Sequence, residues 1–225
     1  MKIQLFNPPV HHYAGILYKM LPTIGLPTLA AWFNLRGHQA EVTDLEALGV
    51  NPALFLDKFS AQRDRWPDVV GVTGVSISKR GMKEIIQAVR RAGFTGPVVA
   101  GGVYATLEPA DPLSWGADLV VTGECEGNVL ALLEAGATGV HAGQPAPIED
   151  IPAPDWRHFS PAIASYDSNI KLLLPCPGIS MWTRGCPWHC IMCGNTIFGG
   201  RPTRHRPAPN IEADMMALKA VGVRN

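Results

Sequence analysis

Cys186, Cys190 and Cys193 stand in the spacing C-x3-C-x2-C. Three thiolates on one short loop can hold three irons of a cubane cluster and leave the fourth iron open for chemistry. A structural cluster or zinc site usually closes itself with four ligands. His189 and His205 lie nearby, so a Cys3His zinc site is the alternative. That alternative lacks a paired second knuckle. The loop also follows Gly178–Thr183, an apolar stretch that reads as a strand. Pro207–Val221 then reads as a helix, with Asn210 as N-cap and Gly222 as stop. The cysteines therefore sit at the carboxyl end of a strand, within one strand–loop–helix unit.

The elements upstream must position that loop. Lys2–Phe6, Ala40–Leu45, Val69–Val75, Pro97–Ala100 and Asp118–Val121 read as strands. Thr23–Arg36, Pro52–Gln62, Lys79–Ala92 and Glu124–Glu134 read as helices. Continuous Val-rich strands separated by helices call for a parallel sheet covered on both faces. Residues 1–137 are therefore expected to form a doubly wound, flavodoxin-like (Rossmann-like) α/β domain, in strand order 2-1-3-4-5. Such sheets bind ligands beyond the carboxyl ends of their strands. Residues 138–177 are rich in proline and glycine and read as a linker, a plain tether or equally a segment wrapped on the surface as a structured substrate wall. Residues 178–225 carry the cysteine loop.

Bulk properties exclude several classes. Hydrophobic residues make up 47% of the 225 and charged residues 17%, with zero formal net charge. That balance offers no basic face to nucleic acid. No apolar run approaches the ~20 residues of a membrane helix. Met1–Pro9 lacks the apolar centre of a signal peptide and reads as a first strand. Five cysteines, three of them clustered, do not make a secreted disulfide framework. A reducing cytoplasm is expected.

The loop and its approach, Thr183-Arg184-Gly185, resemble those of the radical S-adenosylmethionine (SAM) enzymes. The resemblance implies that Cys186, Cys190 and Cys193 ligate a catalytic [4Fe–4S] cluster. It implies SAM chelated to the open iron and an external electron donor. One-electron reduction would cleave SAM to a 5′-deoxyadenosyl radical. The family usually has an aromatic residue just before the third cysteine, near the adenine. Met192 stands there instead and is the candidate contact.

Residues 1 to about 135 resemble the cobalamin-binding domain that precedes the radical module in one class of that family. The likeness rests on Asn7-Pro8-Pro9, Gly25-Leu26-Pro27, Gly37-His38, Val72–Ser78, Gly101–Thr106 and Thr122–Glu126, in that order. It implies cobalamin at the strand ends. The candidate cofactor-binding residues are Ser76, Ile77 and Ser78, then Gly101, Gly102, Tyr104 and Thr106, then Thr122, Gly123 and Glu124. Glycines leave room for a flat base or a corrin edge, and hydroxyls line the crevice. Glu124 and Glu126 accept bonds from ribose or corrin amides, or cap the helix that follows. The axial-histidine pattern D-x-H-x-x-G is met at His12 and Gly15 but without its aspartate. No protein histidine is expected on cobalt, whose lower face Ser76 and Ile77 would cover. Cys125 and Cys176 read as small buried hydrophobes, with a sulfur nucleophile, sulfur donor or extra cluster contact as the alternative.

The expected function is that of a cobalamin-dependent radical SAM enzyme acting on a small natural product. It would methylate an unactivated carbon or insert sulfur into a nucleoside, as in albomycin antibiotic biosynthesis. The alternative is a cobalamin carrier or sensor with a non-catalytic metal-binding loop. The family's glycine-rich SAM strand comes after the second barrel strand. Residues 178–225 are therefore expected to be a minimal or truncated radical-SAM β/α segment.

Overall fold

The computed structural model describes residues 1–10, 23–159 and 178–223. His11, His12, Gly15 and Cys176 lie outside the described residues.

Six parallel strands make one sheet: β1 (Lys2–Asn7), β2 (Gln39–Asp44), β3 (Val69–Thr73), β4 (Val98–Gly101), β5 (Leu119–Thr122) and β6 (Gly139–Ala142). Their order is β2-β1-β3-β4-β5-β6. The expected 2-1-3-4-5 order is present, with a sixth strand added beyond β5. The linker reading of residues 138–142 is corrected by that strand. Four residues opened by a glycine at φ +81° show too little pattern to be read as a strand. Pairing with β5 defines it, from Leu119 opposite Gly139 to Thr122 opposite Ala142.

Each face of the sheet carries its own core. On one side pack α2 (Pro52–Ala61), α3 (Lys79–Arg91) and α5 (Ala110–Trp115), over Phe6, Val70, Val72, Val98 and Val120. The α3 helix buries Met82, Ile85, Ile86 and Val89, the spacing of one helical stripe. Asn51 caps α2, its Oδ1 accepting from the Leu54 amide at 2.9 Å, with Pro52 in the first turn. On the other side α1 (Gly25–Asn34) lies over Ile3, Leu5, Val42 and Val69. Ile151, Trp156 and Leu218 complete that second core.

The segment after β6 is therefore a strap and not a tether. Ile148, Ile151 and Trp156 are buried, and the Asp155 amide donates to Pro27 O at 3.0 Å. The chain runs from the β6 edge back to α1 and β2 at the opposite edge.

Other expectations shift locally. The residues after β5 form a loop to Asn128, and α6 spans only Val129–Glu134. A short α4 (Gly102–Leu107) and α5 follow β4, where none was expected. The strand expected at Gly178–Thr183 shrinks to β7 (Thr183–Arg184), antiparallel to β8 (Arg204–His205). The final helix is Ala208–Ala220 with Pro207 at its N-cap position. Asn210 is inside it, and its amide instead donates to Glu149 O at 2.8 Å in the strap. No helix among the described residues is long and apolar enough to cross a membrane.

Candidate functional site

A cavity of about 730 Å³ opens at the carboxyl ends of β3, β4 and β5 and runs down the α1 face of the sheet. Its floor is Leu5, Val69, Val99 and Val121, and its far wall Leu26, Leu29 and Phe33 of α1. Gly71 in mid-β3 helps to open it. A Cβ there would come within 2.6 Å of Leu5 Cδ2. At the mouth, Gly101 and Gly123 leave space, since a Cβ on Gly101 would meet only Val121 O at 3.6 Å and one on Gly123 nothing within 4 Å. The cavity is closed on its last side by Thr183, Arg184, Gly185, Asn195 and Phe198. The approach to the cysteine loop and the switch point of the sheet thus share one cavity.

Charge joins these two parts. Arg184 Nη1 donates to Glu124 Oε2 at 2.9 Å and lies 2.7 Å from Glu126 Oε1. Arg204 is ion-paired to the other Glu124 oxygen. Burial opposes the Arg184 charge, but the carboxylates of Glu126 and Glu124 outweigh it and hold its pKa above the ordinary value. Gly185 then turns the chain at φ +88°, and a Cβ there would sit 2.5 Å from Pro202 O. Glycine is therefore required directly before Cys186.

Of the expected cofactor residues, Ser78, Gly101, Gly102, Gly123 and Glu124 border the cavity, and Ser76, Ile77, Tyr104, Thr106, Thr122 and Met192 do not. Tyr104 belongs to the opposite core. Its ring stacks on Trp115 at 5.9 Å and its hydroxyl bonds Asp111. Several hydroxyls stitch the strand-end loops together, because those loops carry backbone groups that need partners. Thr106 Oγ1 accepts from the Gly123 amide at 2.8 Å and donates to Gly102 O at 2.8 Å. Ser78 Oγ closes the turn after β3 through both backbone groups of Val75. Thr122 Oγ1 reaches toward His141 O of β6. Ser76 and Ile77 lie on that same turn, Ser76 exposed. Glu124 is held by two arginines, which the sequence pattern did not reveal.

Of the three loop cysteines, Cys186 is partly buried and Cys190 and Cys193 are exposed. Met192 beside them is 95% exposed. Among the described residues no three His, Cys, Asp or Glu side chains gather closely enough to hold one metal ion. Cubane ligands sit on separate irons and stand farther apart than the ligands of one ion. Three thiols on one short loop fit that donor set by their chemistry.

Cys125 behaves differently. It borders the cavity, packs against the α1-side core, and burial with the nearby Glu126 charge pushes its thiol up to about 12. That shift favours the thiol over the thiolate at neutral pH and makes Cys125 a weak nucleophile where it stands. At pH 8, iodoacetamide should label Cys190 and Cys193 while Cys125 stays unmodified, read by peptide mass spectrometry. Equal labelling of Cys125 would contradict its burial.

A model of the B12-binding domain family matches residues 14–133, just over half of the chain. The chain belongs to the B12-binding domain family. It is 27% identical to the hopanoid C-3 methylase of Methylococcus capsulatus, over 99% of this chain and 45% of that protein. It is also 27% identical to an uncharacterized methyltransferase of Synechocystis sp., over 98% of this chain and 39% of that one. Among solved structures it resembles TsrM from Kitasatospora setae, a radical SAM methyltransferase determined with tryptophan and a SAM analogue. The TM-score is 0.66 at 20% identity, over 98% of this chain and 46% of TsrM. It also resembles OxsB, a cobalamin-dependent SAM radical enzyme determined with aqua-cobalamin. There the TM-score is 0.71 at 14% identity, over 99% of this chain and 33% of OxsB. At such identities the likeness shows the fold. The chain spans less than half the length of each of these proteins.

Proposed function

We propose that this chain supplies the cobalamin and cluster sites of a cobalamin-dependent radical SAM methyltransferase acting on a small molecule. The observation that carries this is the single cavity lined by the strand-end glycines of a B12-binding domain and by Arg184-Gly185, directly ahead of Cys186. Gly101 and Gly123 leave the mouth open to a corrin edge, and the apolar channel past Gly71 suits a flat nucleotide base. Cys186, Cys190 and Cys193 would hold the [4Fe–4S] cluster, and Met192 would pack near SAM. Bound there, cobalamin would supply a transferable methyl group, and the cluster with SAM would supply radical generation. The chain's own residues would hold these sites near one another. Arg184 fixes the loop against Glu124 and Glu126, and α1 gives the inner cavity an apolar wall. The names of the curated relatives favour methylation over sulfur insertion into a nucleoside. A cytoplasmic setting and an external electron donor belong to the same reading.

Anaerobic reconstitution with iron and sulfide tests it. The protein should gain a broad band near ~400 nm and bind hydroxocobalamin. The triple Cys186/Cys190/Cys193→Ala variant should lose the band and keep cobalamin. Reconstituted protein without that band has no cluster, and the reading fails. Cobalamin binding without 5′-deoxyadenosine or S-adenosylhomocysteine under reducing conditions would instead mark a carrier. The mass of any product separates a gained methyl group from an oxygen-to-sulfur exchange.

A further inference from the structure

Glu126 is committed at one oxygen and uncommitted at the other. Its Oε1 lies 2.7 Å from Arg184 Nη1, and its side chain is only 8% exposed. Its Oε2 is shielded from solvent and has no hydrogen-bond partner among the described residues. The residue borders the cavity. A buried carboxylate oxygen without a donor is costly, and native proteins almost always supply one. The protein groups around it do not. Arg184 Nη1 is shared with Glu124, and Arg184 Nε points to Met181 Sδ at 3.1 Å. Arg204 is taken by Glu124. Leu133, Val129 and Met181, which also line the cavity, are apolar.

We propose that Glu126 Oε2 accepts a hydrogen bond from an N–H or O–H group of whatever fills the cavity. On the reading above, which this inference deepens, that occupant is cobalamin, whose rim carries amide donors. The same carboxylate grips Arg184, two residues before Cys186. Filling the cavity therefore fixes the cysteine loop, and Glu126 is a binding residue for the occupant and a positioning residue for the cluster site. The sequence placed Glu126 among possible acceptors but gave no sign of this double engagement.

The test uses reduced, cluster-free full chain under anaerobic conditions. Hydroxocobalamin affinity is read by absorbance. The iodoacetamide labelling rate of Cys186, with and without hydroxocobalamin, is read by mass spectrometry. In the wild type, hydroxocobalamin should slow labelling. Glu126→Gln keeps the size but must turn an NH2 group toward either Arg184 or the occupant's donor. Its Kd should rise about tenfold or more, and the slowing should vanish. Unchanged affinity overturns the acceptor, and lowered affinity with full protection overturns the link to the loop. Should Glu126→Gln not fold, Arg184→Gln carries the test. Lost protection with cobalamin still bound supports the link, and retained protection overturns it. A wild type that binds no hydroxocobalamin overturns the cobalamin reading itself, a result distinct from any difference between variants.

Discussion

Asp214→Ala should lower the unfolding free energy by about 3–5 kcal/mol. Asp214 and Arg206 are both fully buried, at 0% side-chain exposure. Arg206 Nη2 donates to Asp214 Oδ1 and to Ile151 O, each at 3.0 Å. Its Nε and Nη1 find no partner among the described residues. One carboxylate therefore balances a guanidinium that water does not reach. Burial pushes the Arg206 pKa down and the Asp214 pKa up, and each group's charge partly restores the other's. Removing the carboxylate strands the cation, and that desolvation cost exceeds the loss of one hydrogen bond. Because the pair joins the final helix to the strap, the loss should be global. Urea denaturation should show a lower midpoint with an unchanged slope. The double variant Arg206→Met with Asp214→Leu should recover most of the loss, since a packed apolar pair needs no compensation. A single-variant loss under ~1 kcal/mol would show that the cation is solvated after all.

Gly102→Val should cost about 2–5 kcal/mol, the sum of a left-handed backbone and overpacking, and should abolish hydroxocobalamin binding. Gly102 sits at φ +85° where β4 enters α4. A Cβ there would run into Thr73 Oγ1 and come within 3.3 Å of the Gly74 backbone N and O. The turn cannot retreat, because the Tyr104 amide donates to Gly74 O at 2.8 Å. The matched control is Gly123→Ala. That residue is also left-handed, at φ +74°, but a Cβ would meet nothing within 4 Å. Its cost should be the backbone strain alone, about 1–2 kcal/mol. Thermal denaturation of the two variants separates crowding from strain. Equal losses would mean that the strand-end glycines serve conformation only and not close approach.

The parallel sheet was legible because its strands are buried on both faces and therefore appear as unbroken apolar runs, as in Val69–Thr73. The long helices were legible from one-sided stripes such as Met82, Ile85, Ile86 and Val89. β6 was not, since Gly139 opens it and Val140 is 47% exposed, and only its neighbour makes it a strand. The strap could not be told from a plain tether for a similar reason. Its prolines and glycines mask the few residues, Ile148, Ile151 and Trp156, that it buries. In the site, residue type identified the strand-end glycines but not the direction of the side chains. Tyr104 and Thr106 lie two apart on a short helix, yet one faces the opposite core and the other ties two loops together. The bridge through Arg184 joins groups far apart in sequence, and periodicity carries no trace of such pairs.

The strap has a consequence for the order of folding. Ile3, from the first strand, shares its core with Trp156 and with Leu218 of the final helix. That core therefore closes only when the chain has returned across the whole sheet. Contacts so distant in sequence form late, because loop closure must precede them. The opposite face, held largely by α2 and α3, needs no such return. One side of the sheet is expected to mature early and the other late, and the cavity lies on the late side. A bulky ligand would then meet a half-built wall during synthesis and only the cavity mouth afterwards.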